Sequence, residues 1–518
     1  MISISGQRGE PDILDVIADL SNDEVFTPPK LVRTILDELP AELWADPTLR
    51  WLDLGSKTGV FLREIARRLM VGLADEIPDE QVRLQHILRE QVFGIAVTEL
   101  TAAMSRRTLY CSKDAAGPAS VVTMPTPGGN IWFERVEHAV ANGKCRECGA
   151  VAATLERGED RENYAYGFIH NSGLKSIEEA FGMRFDVIVG NPPYQLDDGG
   201  YGTSSAPIYQ LFVDQAKKLN PRYMAMIIPS RWFTGGKGLD DFRESMLDDD
   251  RTRSIDDFLT ASDVFPGVGL KGGVCYFLWD RDHPGPCRVS THFKDWPDSV
   301  DTRPLREPGA EVFIRFNQGL SILKKVMQVE SGQSDTLGLP QGKRFDALVS
   351  PRKPFALETK FKGKASASEG DLLVYQNGGT GFIAREEVTT GTSLIDCWKV
   401  FLGRAAPGTG NKDTYPHRII STPFVGEPGS ICSETYLAIG PLGSEAEAES
   451  VLSFLSCRLT RLLILLHKAA QDTTRRVYTF VPQQDWSRKW TDADLYAKYG
   501  ITEEEQAFID AVIKDLPA

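Results

Sequence analysis

The sequence predicts an α/β protein built on a doubly wound, mostly parallel sheet, and three observations predict it. Short apolar runs of strand length recur through the first half of the chain, at residues 50–55 (RWLDLG), 91–97 (QVFGIAV), 185–190 (FDVIVG) and 223–229 (YMAMIIP). Stretches with helical spacing separate them, at 31–39, 60–69 and 208–219. The strand runs are almost continuously apolar, as suits strands covered by helices on both faces. In such a sheet, ligands bind beyond the carboxyl ends of the strands.

A chain of 518 residues is too long for one core, so more than one domain is expected. The apolar fraction of 42% and charged fraction of 25% are those of an ordinary globular protein, which excludes a disordered or fibrous class. The opening MISISGQRGEPD has no apolar signal region, and the run Leu462-Leu463-Ile464-Leu465-Leu466 is too short to cross a bilayer. Eight cysteines with a single CxxC pair argue against a disulfide framework, and a cytoplasmic location is expected with no membrane partner. The net charge of −14 speaks weakly against a nucleic-acid partner, because the field that matters is local. Basic residues gather at Lys343, Arg344, Arg352, Lys353, Lys360, Lys362 and Lys364, and again at Arg458, Arg461, Lys468, Arg475 and Arg476. Solvated faces are the plainer reading of both groups.

Two passages interrupt the alternation. Residues 110–166 are polar and glycine-rich, and read as an insertion between strands. Past Pro284, the run PDSVDTRPLREPGAE reads as a linker, so boundaries at 1–290 and 303–518 are expected. The second half mixes short strand-like runs, the turns NGGTG and APGTGN, and one long helix near 445–470.

The segment VIVGNPPYQLDD, 187–198, carries the chemistry. Two prolines stop any regular element, and Pro193 keeps Pro192 extended, so the backbone is stiff where an apolar strand ends. Stiff backbone fixes the Asn191 amide oxygen and the Pro192 carbonyl as acceptors for both hydrogens of an aromatic amine. Pulled out of the ring plane, that amine regains its lone pair and becomes a nucleophile. Tyr194 offers a flat face on which a base stacks for about 1–3 kcal/mol. No strong general base is needed when the amine attacks a sulfonium methyl; positioning and electrostatics suffice. The plain alternative is an Asx-Pro turn closing a strand.

On these residues the sequence resembles the S-adenosylmethionine-dependent amino-methyltransferases with a (D/N/S)PP(Y/F/W) motif. More narrowly, it resembles the gamma-class adenine-N6 DNA methyltransferases of restriction–modification systems. Val25-Phe26-Thr27-Pro28-Pro29-Lys30-Leu31-Val32 is similar to that group's motif X, which lines the methionine end of the cofactor. Trp51-Leu52-Asp53-Leu54-Gly55-Ser56-Lys57-Thr58-Gly59-Val60-Phe61-Leu62 is similar to its motif I, a strand and glycine-rich turn. Val264-Phe265-Pro266-Gly267 before GGVCYFLW is similar to motif VIII, whose aromatic packs on a flipped-out base.

The resemblance implies a Rossmann-like methyltransferase fold, a C-terminal α+β target-recognition domain, double-stranded DNA as partner, and a cognate restriction endonuclease or other defence proteins as further partners. It implies Asn191, Pro192, Pro193 and Tyr194 as catalytic residues, with Tyr194 and Phe265 stacking the base. Phe26, Thr27, Pro28, Asp53, Gly55, Ser56, Gly59 and Asn191 would hold the cofactor. Gln376-Asn377-Gly378-Gly379 and Gly408-Thr409-Gly410-Asn411-Lys412 would contact DNA or are ordinary turns.

The sequence departs from the family at several points. Lys57 stands where a glycine is usual; GxxxxGK[ST] spacing is missing, so a phosphate-binding loop is rejected. The acid that holds the cofactor ribose is replaced by Ala96, which leaves Glu99, three residues on, as candidate ribose ligand or as a solvated residue opening a helix. His170 or Asn171 stands where an acid usually contacts the cofactor adenine.

Cys145 and Cys148 form a zinc-knuckle spacing, and a structural zinc held by Cys111, Cys145, Cys148 and His170 is expected, with His138 also nearby in sequence. Free thiols or a redox pair are the alternatives. Other readings of the whole chain keep the Asn-Pro-Pro-Tyr motif but place the methyl on RNA, a protein glutamine amide or cytosine N4, or make the chain a non-catalytic DNA-binding subunit. A D…ExK nuclease site at Asp346 and Glu358-Thr359-Lys360 is a match that chance readily produces.

Overall fold

Trp51-Leu52-Asp53-Leu54-Gly55-Ser56 is buried at every position, and it forms the central strand β1 (Trp51–Ser56) of a mixed α/β sheet. The computed structural model describes residues 26–134, 136–152, 166–170, 182–195, 206–266, 270, 272–293, 296–333, 335–405, 415–468 and 473–517. The chain divides into two compact units, Met1–Ser290 with Thr302–Pro304, and Thr291–Asp301 with Leu305–Ala518.

In the first unit, α1 (Pro29–Asp37) starts with proline at its first position, where no intrahelical donor is lost, and buries Leu31, Val32, Ile35 and Leu36. After β1 come α2 (Val60–Gly72), α3 (Glu80–His86), β2 (Val92–Ala96), α4 (Glu99–Tyr110) and the short β3 (Ile131–Trp132). The inserted stretch contributes a small hairpin of β4 (Val140–Ala141) and β5 (Lys144–Cys145). Then follow β6 (Val187–Gly190), α5 (Tyr209–Lys218), β7 (Tyr223–Pro229), α6 (Asp240–Leu247), β8 (Thr252–Phe258) and β9 (Val274–Asp280). β10 (Cys287–His292) and β11 (Ser299–Arg303) extend the sheet beyond β8.

The strand order β3-β2-β1-β6-β7-β9-β8 reverses direction between β1 and β6. β3, β2, β1, β6 and β7 pair in parallel, while β9 runs antiparallel between β7 and β8. The four strands expected from apolar runs and the three expected helices are present at those places. β8 escapes an apolar reading because its TRSIDDF sequence buries two acids: Asp256 meets Arg288, and Asp257 accepts from the Ser230 hydroxyl at 2.7 Å.

The second unit holds α7 (Asn317–Ser331), and its described residues form two three-stranded sheets. One is β13-β12-β16, from β12 (Leu372–Gln376), β13 (Gly379–Ile383) and β16 (Ser430–Cys432). The other is β15-β14-β17, from β14 (Trp398–Gly403), β15 (Phe424–Gly426) and β17 (Tyr436–Leu442). Between β12 and β13, Asn377-Gly378 makes the two-residue hairpin turn for which Asn-Gly is suited. The loop at 408–412 lies outside the described residues, as do 153–165, 171–181 and 196–205.

The single long helix expected near 445–470 is instead a pair, α8 (Glu445–Ser456) and α9 (Arg458–His467), bent by 67°. Cys457 is extended between them, and the buried Arg461 guanidinium donates to the Ser456 and Cys457 carbonyls that the break exposes. Among the described residues no single helix is long and apolar enough to cross a membrane; the bent pair passes by length and composition, and Leu459 to Leu466 are buried in the unit's own interior.

Candidate active site at the sheet switch point

The two strands on either side of the reversal end in glycine-containing turns, and both turns need the glycine. A Cβ on Gly190 would sit 2.2 Å from the Leu54 carbonyl oxygen. One on Gly55, whose φ is +90°, would sit 3.2 Å from the Asn191 carbonyl oxygen and 3.2 Å from the Pro192 Cα. The end of β1 therefore lies against the backbone of the Asn-Pro-Pro-Tyr segment, a closeness only glycine permits.

Past β1, Lys57, Thr58 and Gly59 lead into α2. Helix α4 pins this loop from behind: Ser105 Oγ is 2.7 Å from Ser56 Oγ and donates to the Lys57 carbonyl at 3.2 Å, and Thr108 donates to the Thr58 carbonyl at 2.6 Å. In front of it is a shallow cleft open to solvent. Thr27, Asp53, Gly55, the loop from Lys57 to Phe61, and Asn191 line it. The Asn191 amide nitrogen donates to Thr27 Oγ1 at 3.0 Å, tying the segment before α1 to the end of β6. An amide whose nitrogen is held this way directs its oxygen to the opposite side.

Burial pushes the Asp53 carboxyl up from 3.8 to about 7, a rise that the Ser56 hydrogen bond and the Lys57 charge reduce without cancelling. Asn191, Pro192, Pro193 and Tyr194 are all buried. The Tyr194 carbonyl accepts from the Ile208 N–H at 3.1 Å, which anchors the turn to the start of α5. Burial also holds the Tyr194 phenol well above its ordinary range.

Of the residues expected to hold a cofactor, Thr27, Asp53, Gly55, Gly59 and Asn191 meet at this cleft. Phe26 and Pro28 flank Thr27 and are half-buried. Ser56 turns to α4 and holds the loop from behind. Glu99 is exposed as the first residue of α4, outside the cleft lining, while Thr98 and Thr101 form that helix's capping box. Phe265 is 1% exposed and belongs to the hydrophobic core with Val32, Val274 and Tyr276. Lys57, Thr58, Val60 and Phe61 line the cleft without having been singled out as contacts; their place in a glycine turn leading into a helix was the signal available.

The expected metal set is rearranged. His138, Cys145, Cys148 and His170 present ligand atoms within 4.8 Å of one another. Cys111 is not in this group; it is exposed, in left-handed backbone at the end of α4, and His138 stands in its place. Burial lowers His138 to about 4 and lowers His170 in the same direction.

Several of the basic residues of the second unit pair with acids of that unit. Arg344 pairs with Asp346, Arg352 with Glu434, Lys353 with Glu358, Lys364 with Asp371, and Arg458 with Asp510 and Asp515. Asp346 and Glu358 are thus bonded to the chain's own cations, and are not among the described residues grouped to hold a metal.

Comparison with known proteins bears on the same region. The family model for the Eco57I restriction-modification methylase matches residues 90–265. An uncharacterized adenine-specific methylase of Mycoplasma pneumoniae (strain ATCC 29342 / M129) is 37% identical over 307 residues, 54% of this chain and 73% of that protein. Among solved structures, the M protein of the type I restriction enzyme EcoKI is 13% identical with a TM-score of 0.34, over 54% of this chain and 51% of that one. The DrdV–DNA complex is 12% identical with a TM-score of 0.44, over 91% and 56%. The type IIL restriction-modification enzyme MmeI in complex with DNA is 11% identical with a TM-score of 0.44, over 90% and 65%. The chain spans about half to two thirds of the length of these three structures.

Proposed function

The chain belongs to the adenine-specific methylase family, and from that premise we propose that it transfers a methyl group from S-adenosylmethionine to N6 of an adenine flipped out of double-stranded DNA. The observation that carries this reading is the junction of Asn191-Pro192-Pro193-Tyr194 with the glycine loop, at the point where the strand order reverses.

The residues of the cleft fit the cofactor's amino-acid end. A zwitterion needs an anion for its ammonium and donors for its carboxylate. Asp53 is the buried acid, and Lys57 with the first N–H groups of α2 are the donors. Thr27 and Gly55 complete the walls. When bound, S-adenosylmethionine supplies an electrophilic methyl on a sulfonium.

The chain's own part is positioning. The Asn191 amide oxygen and Pro192 carbonyl accept the two N6 hydrogens, which localises the nitrogen lone pair for attack. Thr27 holds the Asn191 amide so that its oxygen, not its nitrogen, is offered. Tyr194 stacks on the adenine ring, worth about 1–3 kcal/mol. Phe265 takes the second face of the base only if base entry draws it out of the core in which it is packed. The second unit follows the catalytic unit where a target-recognition domain stands in the gamma class, and it reads the DNA sequence.

Asn191→Ala tests the assignment. Single-turnover transfer to an adenine-containing duplex should fall by about a hundred- to a thousandfold, as for loss of a preorganised acceptor or donor, while cofactor affinity stays within about threefold. Equal loss of both would mean that Asn191 serves the cofactor and not the amine.

A further inference from the structure

We propose that His138, Cys145, Cys148 and His170 bind one Zn²⁺ tetrahedrally through two thiolates and two imidazoles, and that the ion braces the turn supporting the Asn191–Tyr194 segment. This rests on geometry independent of the methyl-transfer reading.

The spacing is that of a closed structural site. Zn–S bonds of about 2.3 Å and Zn–N bonds of about 2.0–2.1 Å at tetrahedral angles place sulfur and nitrogen about 3.6 Å apart. Cys148 Sγ and His138 Nδ1 are 3.5 Å apart. The hairpin of β4 and β5 shapes the knuckle: the Cys145 N–H donates to the Ala150 carbonyl at 2.8 Å, and the Gly149 N–H to the Cys145 carbonyl at 3.0 Å. Gly149, at φ +73°, turns the chain back immediately after the second thiol.

His170 is 1% exposed, and its Nδ1 lies 2.8 Å from the Tyr166 carbonyl. That contact places the ring proton on Nδ1 and leaves Nε2 with a lone pair; among the described residues Nε2 has no hydrogen-bond partner. A backbone carbonyl orienting one imidazole nitrogen while the other binds metal is the usual outer-shell arrangement. Two thiolates with two imidazoles in a buried pocket select zinc over hard cations.

The turn that carries His170 leads to the active site. Phe168 stacks on Phe212 at 5.7 Å, and Tyr166 meets the same ring edge-on at 5.7 Å. Phe212 is on α5, whose leading residue Ile208 donates to the Tyr194 carbonyl. The ion therefore anchors one end of a packed path that ends on the Asn-Pro-Pro-Tyr backbone.

The experiment is elemental analysis of the full chain purified with zinc present, followed by Co²⁺ exchange and hydrogen exchange with and without chelator. The expected result is about one zinc per chain, tetrahedral Co²⁺ bands with thiolate charge transfer, and undiminished metal in Cys111→Ser. Cys145→Ser and His138→Ala should lose the ion. His138→Cys should keep it with stronger charge transfer, which guards against a variant that merely fails to fold. Chelation should speed exchange of the Ile208 amide while leaving the β1 amides unchanged. A metal-free wild-type chain, or metal lost in Cys111→Ser but kept in His138→Ala, would overturn the site. An Ile208 amide indifferent to chelation would overturn the bracing.

Discussion

Replacing Asp53 by asparagine should change how both stability and cofactor affinity depend on pH. Asp53 is 3% exposed beneath the cleft, and burial raises its carboxyl from 3.8 to about 7 against the pull of Ser56 and Lys57. In the unfolded chain it gives up its proton near pH 4; in the native protein it keeps it to about pH 7. Between those values the native state binds the extra proton, so this group's contribution to stability declines as pH rises from about 4 to about 7 and is level above. The span amounts to about 4 kcal/mol at most. Asparagine has the same shape and no such dependence. Native-state hydrogen exchange of the β1 amides at a series of pH values reads the difference, which should widen in the variant's favour up to pH 7. Cofactor affinity should weaken about tenfold per pH unit below pH 7 in the wild type, because binding an ammonium beside Asp53 requires its carboxylate. In Asp53→Asn it should be weaker at pH 8 and flat with pH. Parallel pH profiles for the two proteins would refute both the buried acid and its place beside the cofactor.

Three further outcomes follow from packing. Gly190→Ala puts a methyl 2.2 Å from the Leu54 carbonyl and should cost at least about 3 kcal/mol, visible as lost soluble yield or a much lower Tm. Lys399→Met leaves the carbonyls of Ile395, Glu427 and Ser430 without their buried donor, and should cost about 3 kcal/mol in thermal melts of the second unit. Phe265→Ala should cost about 3–5 kcal/mol of stability as a core truncation, read by chemical denaturation. A loss confined to binding of mismatched target bases, with stability unchanged, would instead make Phe265 purely a stacking residue.

Much of the first unit was legible because its strands bury both faces and its helices bury one. The apolar runs at β1, β2, β6 and β7 carry that signature directly, and so do the stripes of α1, α2 and α5. β8 was not legible, since its burial of Asp256 and Asp257 depends on Arg288 and Ser230 from distant parts of the chain. The break between α8 and α9 was hidden for the same reason: Arg461, a good helix former, is used to close the exposed carbonyls. At the site, Asn191 and Gly55 announced themselves through the paired prolines and the glycine-rich turn that follow apolar strands. Lys57 was noticed as a departure, yet its position in the cleft wall depends on how α4 holds the loop. His138 could not be preferred over Cys111 from spacing, because it is the hairpin that follows His138 that brings its ring to the knuckle.

The central claim is methyl transfer to adenine N6 in DNA, and nucleoside mass spectrometry tests it most directly. The full chain would be incubated with unmethylated genomic DNA and S-adenosylmethionine carrying an isotopically labelled methyl, and the DNA digested to nucleosides. The account predicts label in N6-methyladenine with the wild type, and its incorporation slowed at least about a hundredfold with Asn191→Ala. Label in N4-methylcytosine, or cofactor bound with no label in DNA at all, would contradict it.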